Sequence, residues 1–172
     1  NCAGGVLDGG WVTCEESSSD EHGYAFLTRP EDDTLREPRR IRSWGRFHRE
    51  AIAVDPDSGV VYMTEDRPDS CLYRFVPDDP KRSMGSGRLQ ALSISGLATT
   101  SPYETPGFDS EGRWVRGHKG PKWANGQTWQ ASWVNVPDPQ AETELCRHQA
   151  AQLGATQFYR GEGISWNGKS LW

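Results

Sequence analysis

Two adjacent acids, Glu65 and Asp66, close the strand-like run "GVVYMTED", and two more, Glu15 and Glu16, close "WVTCEE". Each pair is followed by a polar connection and then Tyr-x-Phe, at Tyr24 and Tyr73. From Glu15 to Glu65 is 50 residues and from Tyr24 to Tyr73 is 49, close to the ~40–50-residue period of propeller blades. A second repeat matches Phe47, Arg49, Glu50 and Ile52 to Phe158, Arg160, Glu162 and Ile164 with one residue inserted, placing a glutamate just ahead of a hairpin in each copy. One acid pair alone reads as a solvated turn. Recurrence at equivalent offsets changes that: acids converging on the mouth of a channel repel one another, and cations would relieve the repulsion.

The elements that must position these acids are short alternating runs. "GGWVTCE", "HGYAFLT", "AIAVDP", "GVVYMTE", "CLYRFVP" and "GISWNGKSLW" are each bounded by Gly, Pro, Asp or Asn, which is strand-and-turn punctuation. "VDPDSGVVY" predicts a hairpin, with Gly59 available for positive φ, and Asn167-Gly168 predicts a second turn. "RLQALSIS" adds a strand. Helical periodicity is confined to a short stretch near 139–153, opened by Asp138 or Pro139 and ended by Gly154. The expected fold is all-β with that one short helix, part of a β-propeller in which inner strand ends converge. Residues 1–172 then make up about two to three blades of a single propeller domain, interrupted by a long loop over 99–127 that is either functional or inserted.

Composition narrows the function. The 172 residues carry a net charge of −5, and the only dense basic run, Arg36 to Arg42, is short, so no specific nucleic-acid partner is expected. No apolar run reaches the ~20 residues of a membrane span. Cys2, Cys14, Cys71 and Cys146 lack paired CxxC spacing, and His22, His48, His118 and His148 lack HxH or HExxH spacing, which disfavours zinc. Cys14, Cys71 and Cys146 read as core. Trp114, Trp123, Trp129 and Trp133 read as covers for sheet faces.

Linked in order, "NCAGG", "WVTCEE", "GRF", "EAIAVDP", "GVVYMTEDR", "LYRFVP", "WVNVPDP" and "GATQFYRGEGI" resemble the PhoX-type alkaline phosphatases along the whole chain, over the central part of that family's length. The resemblance implies a six-bladed propeller whose channel mouth holds a mixed iron and calcium cluster with a bridging oxygen. It implies hydrolysis of small-molecule phosphate monoesters in the periplasm or outside the cell, export by the twin-arginine route, and a monomeric full-length protein. Carried over motif by motif, it implies a metal-binding set of Cys2, Glu15, Glu16, Glu50, Glu65, Asp66 and Glu162, with Cys2 a thiolate ligand to iron. One departure stands out: the family commonly has histidine directly before the glutamate of the "EA" segment, where this chain has Arg49, with His48 one place earlier.

Phosphate monoester hydrolysis needs neutralised nonbridging oxygens, an in-line nucleophile and help for the leaving alkoxide, and clustered cations supply all three. Carboxylates suit calcium and ferric iron, while a thiolate biases one position toward a transition metal. Arg67, beside the second acid pair, or Arg49 would serve catalysis by clamping phosphate bidentately. Two other classes remain open at this point: a non-enzymatic calcium-stabilised propeller that binds a partner, and a calcium-dependent propeller lactonase.

Overall fold

Alternation between buried and exposed side chains organises this chain. In the computed structural model, residues 2–31, 39–101, 107–108, 114–115 and 124–172 are described. In chain order the strands are β1 (Cys2–Leu7), β2 (Gly10–Cys14), β3 (Ala25–Thr28), β4 (Arg49–Val54), β5 (Val61–Glu65), β6 (Tyr73–Pro77), β7 (Gly87–Ile94), β8 (Gly107–Phe108), β9 (Trp114–Val115) and β10 (Ala131–Asn135), followed by helix α1 (Cys146–Gln152). In β2, Val12 and Cys14 face inward, and in β6, Tyr73 and Phe75 do so, because side chains point alternately to the two faces of a strand. These residues pack around Trp44, Phe47, Met63 and Leu89. Phe47 and Tyr73 stack with centroids 4.2 Å apart, and burying side chains of this size stabilises the fold by on the order of 2–3 kcal/mol each.

Eight of the strands form two antiparallel meanders, β1-β2-β3 and β4-β5-β6-β7-β10, while β8 pairs with β9 in a separate two-stranded sheet. The first strands of the two meanders meet in parallel, with Gly4 opposite Ala51. Glycine makes this seam possible: a Cβ at Gly5 would lie 2.4 Å from the Ile52 carbonyl oxygen on β4, while one at Gly4 would lie 2.0 Å from the Val12 carbonyl oxygen on β2, within the first meander. The "GG" that permits the seam also hides β1 from a reading based on alternation.

The fold is mostly β with one short α-helix, as expected. Eight of the described strands run in an open order with β3 and β10 at its edges. The β4–β5 hairpin turns as expected, with the Asp55 amide donating to Val60 and Gly59 at φ +68°. The helix is shorter than the 139–153 expected. Asp138 spends its carboxylate on the amides of Gln140 and Glu142, and Ala141 sits at φ +52°, so the chain is still turning where the helix was to begin. Gly154, at φ +88°, follows its end as anticipated. Much of the 99–127 loop, together with the Trp114 and Trp123 side chains, lies outside the described residues.

Candidate metal centre

Strand direction decides which residues can meet. Because β1 and β4 run parallel, both begin at the same end of the sheet; β2 and β5, antiparallel to them, finish there. Cys2, the acid pair after β2, Arg49-Glu50 at the start of β4 and Glu65-Asp66 at the end of β5 therefore share one edge. Which of these side chains face one another is then set by the alternation of the strand.

Cys2, Glu16 and Glu50 come together. A thiol sulfur and one carboxylate oxygen from each acid all lie within 4.8 Å of one another. Glu50 is buried, while Cys2 and Glu16 remain open to solvent. A hydrogen bond to Glu50 is the main reason the Cys2 thiol is pushed up to about 11. The thiol thus holds its proton at neutral pH, and a metal ion would have to displace it. The donor set fits a cation that accepts both sulfur and oxygen, which points to a transition metal over calcium alone. His48 presents its ring to the same edge, with Nδ1 3.8 Å from a Glu16 oxygen. Burial first, and the Arg67 guanidinium second, hold it below the ordinary imidazole range.

The other acids of the expected set lie outside this cluster. Glu15 accepts hydrogen bonds from the Gly23 and Tyr24 amides at 2.9 and 3.0 Å and pairs with His22 at 2.9 Å. Although partial burial pushes its pKa up, these donors outweigh it and hold the carboxyl below the usual range. Glu65, wholly buried, accepts from the Tyr73 hydroxyl at 2.9 Å and from Arg147 at 3.2 Å. Burial pushes its pKa up against these two donors. Asp66 faces Arg160, whose Nε lies 2.8 Å from Oδ1 without the alignment of a hydrogen bond. Glu162 is exposed, and its backbone carbonyl, not its carboxylate, is held by the Thr64 hydroxyl.

The two arginines named from the sequence part company. Arg49 is fully buried, donating to the carbonyls of Trp44 and Gly45 and lying 3.8 Å over the Phe47 ring. It points away from Glu50 into the core, so a phosphate clamp by Arg49 is inconsistent with its position. Arg67 stays at the edge, half-buried, its Nε without a hydrogen-bond partner among the described residues. Arg160, about half exposed, joins it there. The sequence repeat had already aligned Arg160 with Arg49, but only burial shows which of the two faces solvent. The His48–Arg49 departure has the same explanation, since alternation turns residue 48 toward the edge with Glu50 and residue 49 inward.

Among the described residues no helix is long and apolar enough to cross a membrane. Compared with known proteins, the chain matches over residues 1–172 the family model described as alkaline phosphatase PhoX. No curated protein and no solved structure matches it.

Proposed function

The chain belongs to the alkaline phosphatase PhoX family, and from that premise we propose that it hydrolyses phosphate monoesters at the shared edge of β1, β4 and the β2 and β5 ends. The observation that carries this reading is the convergence of Cys2, Glu16 and Glu50 within 4.8 Å. These three side chains would hold a transition-metal cation, iron on the resemblance, and Asp66 and Glu162 remain candidates for calcium on the same resemblance. When bound, such cations supply positive charge to the phosphate oxygens and activate the attacking water.

The chain's own groups account for the rest. Arg67 and Arg160 would grip the nonbridging oxygens, adding charge-assisted hydrogen bonds that strengthen as negative charge shifts in the transition state. Asp66 orients Arg160 from 2.8 Å. Glu50, buried, holds the Cys2 proton until metal arrives. The meeting of two meanders through their parallel first strands supports a propeller in which this edge lies at the channel mouth. Action in the periplasm or outside the cell belongs to the same proposal.

The test combines metal analysis with turnover of p-nitrophenyl phosphate before and after chelation. Bound iron and calcium with chelator-sensitive turnover are expected. A metal-replete protein that leaves the ester intact overturns the proposal.

A further inference from the structure

The connection from Glu65 to Ser70 is held from two sides. On its inner side Arg147, 6% exposed, reaches from α1 to place Nη1 3.2 Å from a Glu65 oxygen and Nε 3.1 Å from an Asp69 oxygen. His148, the next residue, lies 3.2 Å from the other Asp69 oxygen. On its outer side the connection carries segment 158–162. The Ser70 hydroxyl donates to the Phe158 carbonyl and the Phe158 amide to that of Ser70, each at 2.7 Å. The Arg160 amide donates to Arg67 and the Gly161 amide to Glu65, at 3.0 and 3.1 Å. Gly161 fits so closely that a Cβ there would stand 2.9 Å from the Glu65 carbonyl oxygen.

Arg160 has φ +57°, a conformation that non-glycine residues keep only where their surroundings impose it. What imposes it here is the docked connection. We propose that Arg147, through Glu65 and Asp69, is the positioning residue that fixes this connection and thereby sets where Arg67 and Arg160 meet a phosphate group. Among the described residues Arg147 pairs with Glu65 and Asp69 and not with Cys2, Glu16 or Glu50. The proposal rests on the functional reading given above.

The test uses the metal-loaded protein carrying Arg147→Lys or Asp69→Asn, with p-nitrophenyl phosphate as substrate and inorganic phosphate as inhibitor. KM and the phosphate inhibition constant are expected to rise together by about tenfold, with kcat lowered by less than about threefold and bound metal unchanged. The Arg160 and Gly161 amides are expected to exchange hydrogen at least about tenfold faster. An unchanged KM or unchanged exchange overturns the proposal, even where the unfolding midpoint falls. If the unsubstituted protein turns over no phosphate ester, the functional reading alone has failed, and amide exchange still decides whether Arg147 holds segment 158–162.

Discussion

Glu15 and Glu65 do the same job in the two meanders: each ends or follows a strand and turns its carboxylate back onto the start of the next one. Glu15 accepts from the Gly23 and Tyr24 amides, and Glu65 from the Tyr73 hydroxyl and, at 3.4 Å, the Cys71 amide. The acid after each, Glu16 or Asp66, faces the shared edge instead. The recurring pairs are thus divided in placement, one acid closing a loop and the other turned to the edge, where Glu16 lies with Cys2 and Glu50 and Asp66 pairs with Arg160.

That division predicts opposite outcomes for neighbouring substitutions. Glu16→Gln should lower metal content, with affinity reduced at least about tenfold, and leave the urea midpoint near its original value. Glu15→Gln should cost about 1–2 kcal/mol of stability through weakened hydrogen bonds and leave metal binding largely intact. Urea unfolding alongside metal analysis separates the two, and a reversed pattern would show that the roles are exchanged.

Arg49→Ala should destabilise by about 2–4 kcal/mol, because it leaves a cavity against Phe47 and strips the Trp44 and Gly45 carbonyls of their donor. In the fraction that remains folded, KM for p-nitrophenyl phosphate should stay within about twofold. Arg160→Ala should do the reverse, raising KM with little change in unfolding midpoint. Steady-state kinetics on both variants checks this.

Gly4→Ala should push β1 off β2 and, because Gly4 pairs with Ala51, loosen the seam between the meanders. With φ +85° and a Cβ that would meet the Val12 carbonyl oxygen at 2.0 Å, the variant must shift β1 and carry Cys2 with it. A loss of about 2 kcal/mol or more, accompanied by loss of bound metal, is the expected result. Intact metal content in a destabilised variant would mean that Cys2 is placed independently of the seam.

Asp69 gives a pH dependence whose sign follows from its partners. Partial burial pushes its carboxyl up, but Arg147 and His148 outweigh this and hold it below the usual carboxylate range. A depressed folded pKa means the stabilisation is present above the unfolded value and is lost as pH falls through the folded one. Asp69→Asn should therefore lower the urea midpoint at pH 6, and the gap from the unsubstituted protein should close as pH drops below about 4. A gap that persists unchanged at pH 2.5 would contradict the assignment.

The sequence by itself determined the strand-rich class, the turn at Asp55–Gly59, the identity of the family through its chain of motifs, and the burial of Cys14, Cys71 and Cys146. Each depends on local chemistry: alternation, turn residues, linked motifs, or the small apolar character of a thiol. What only the tertiary structure decided was which member of each adjacent pair faces the edge shared with Cys2. Glu15 and Glu16, Arg49 and Glu50, and Glu65 and Asp66 are indistinguishable by spacing, because a one-residue step along a strand reverses the side chain's face. The parallel meeting of β1 and β4 at Gly4, which no run of residues announces, chose the inner face. With it came the grouping of Cys2, Glu16 and Glu50, while the docking of segment 158–162 on the Glu65–Ser70 connection put Arg160 at the edge and burial took Arg49 into the core.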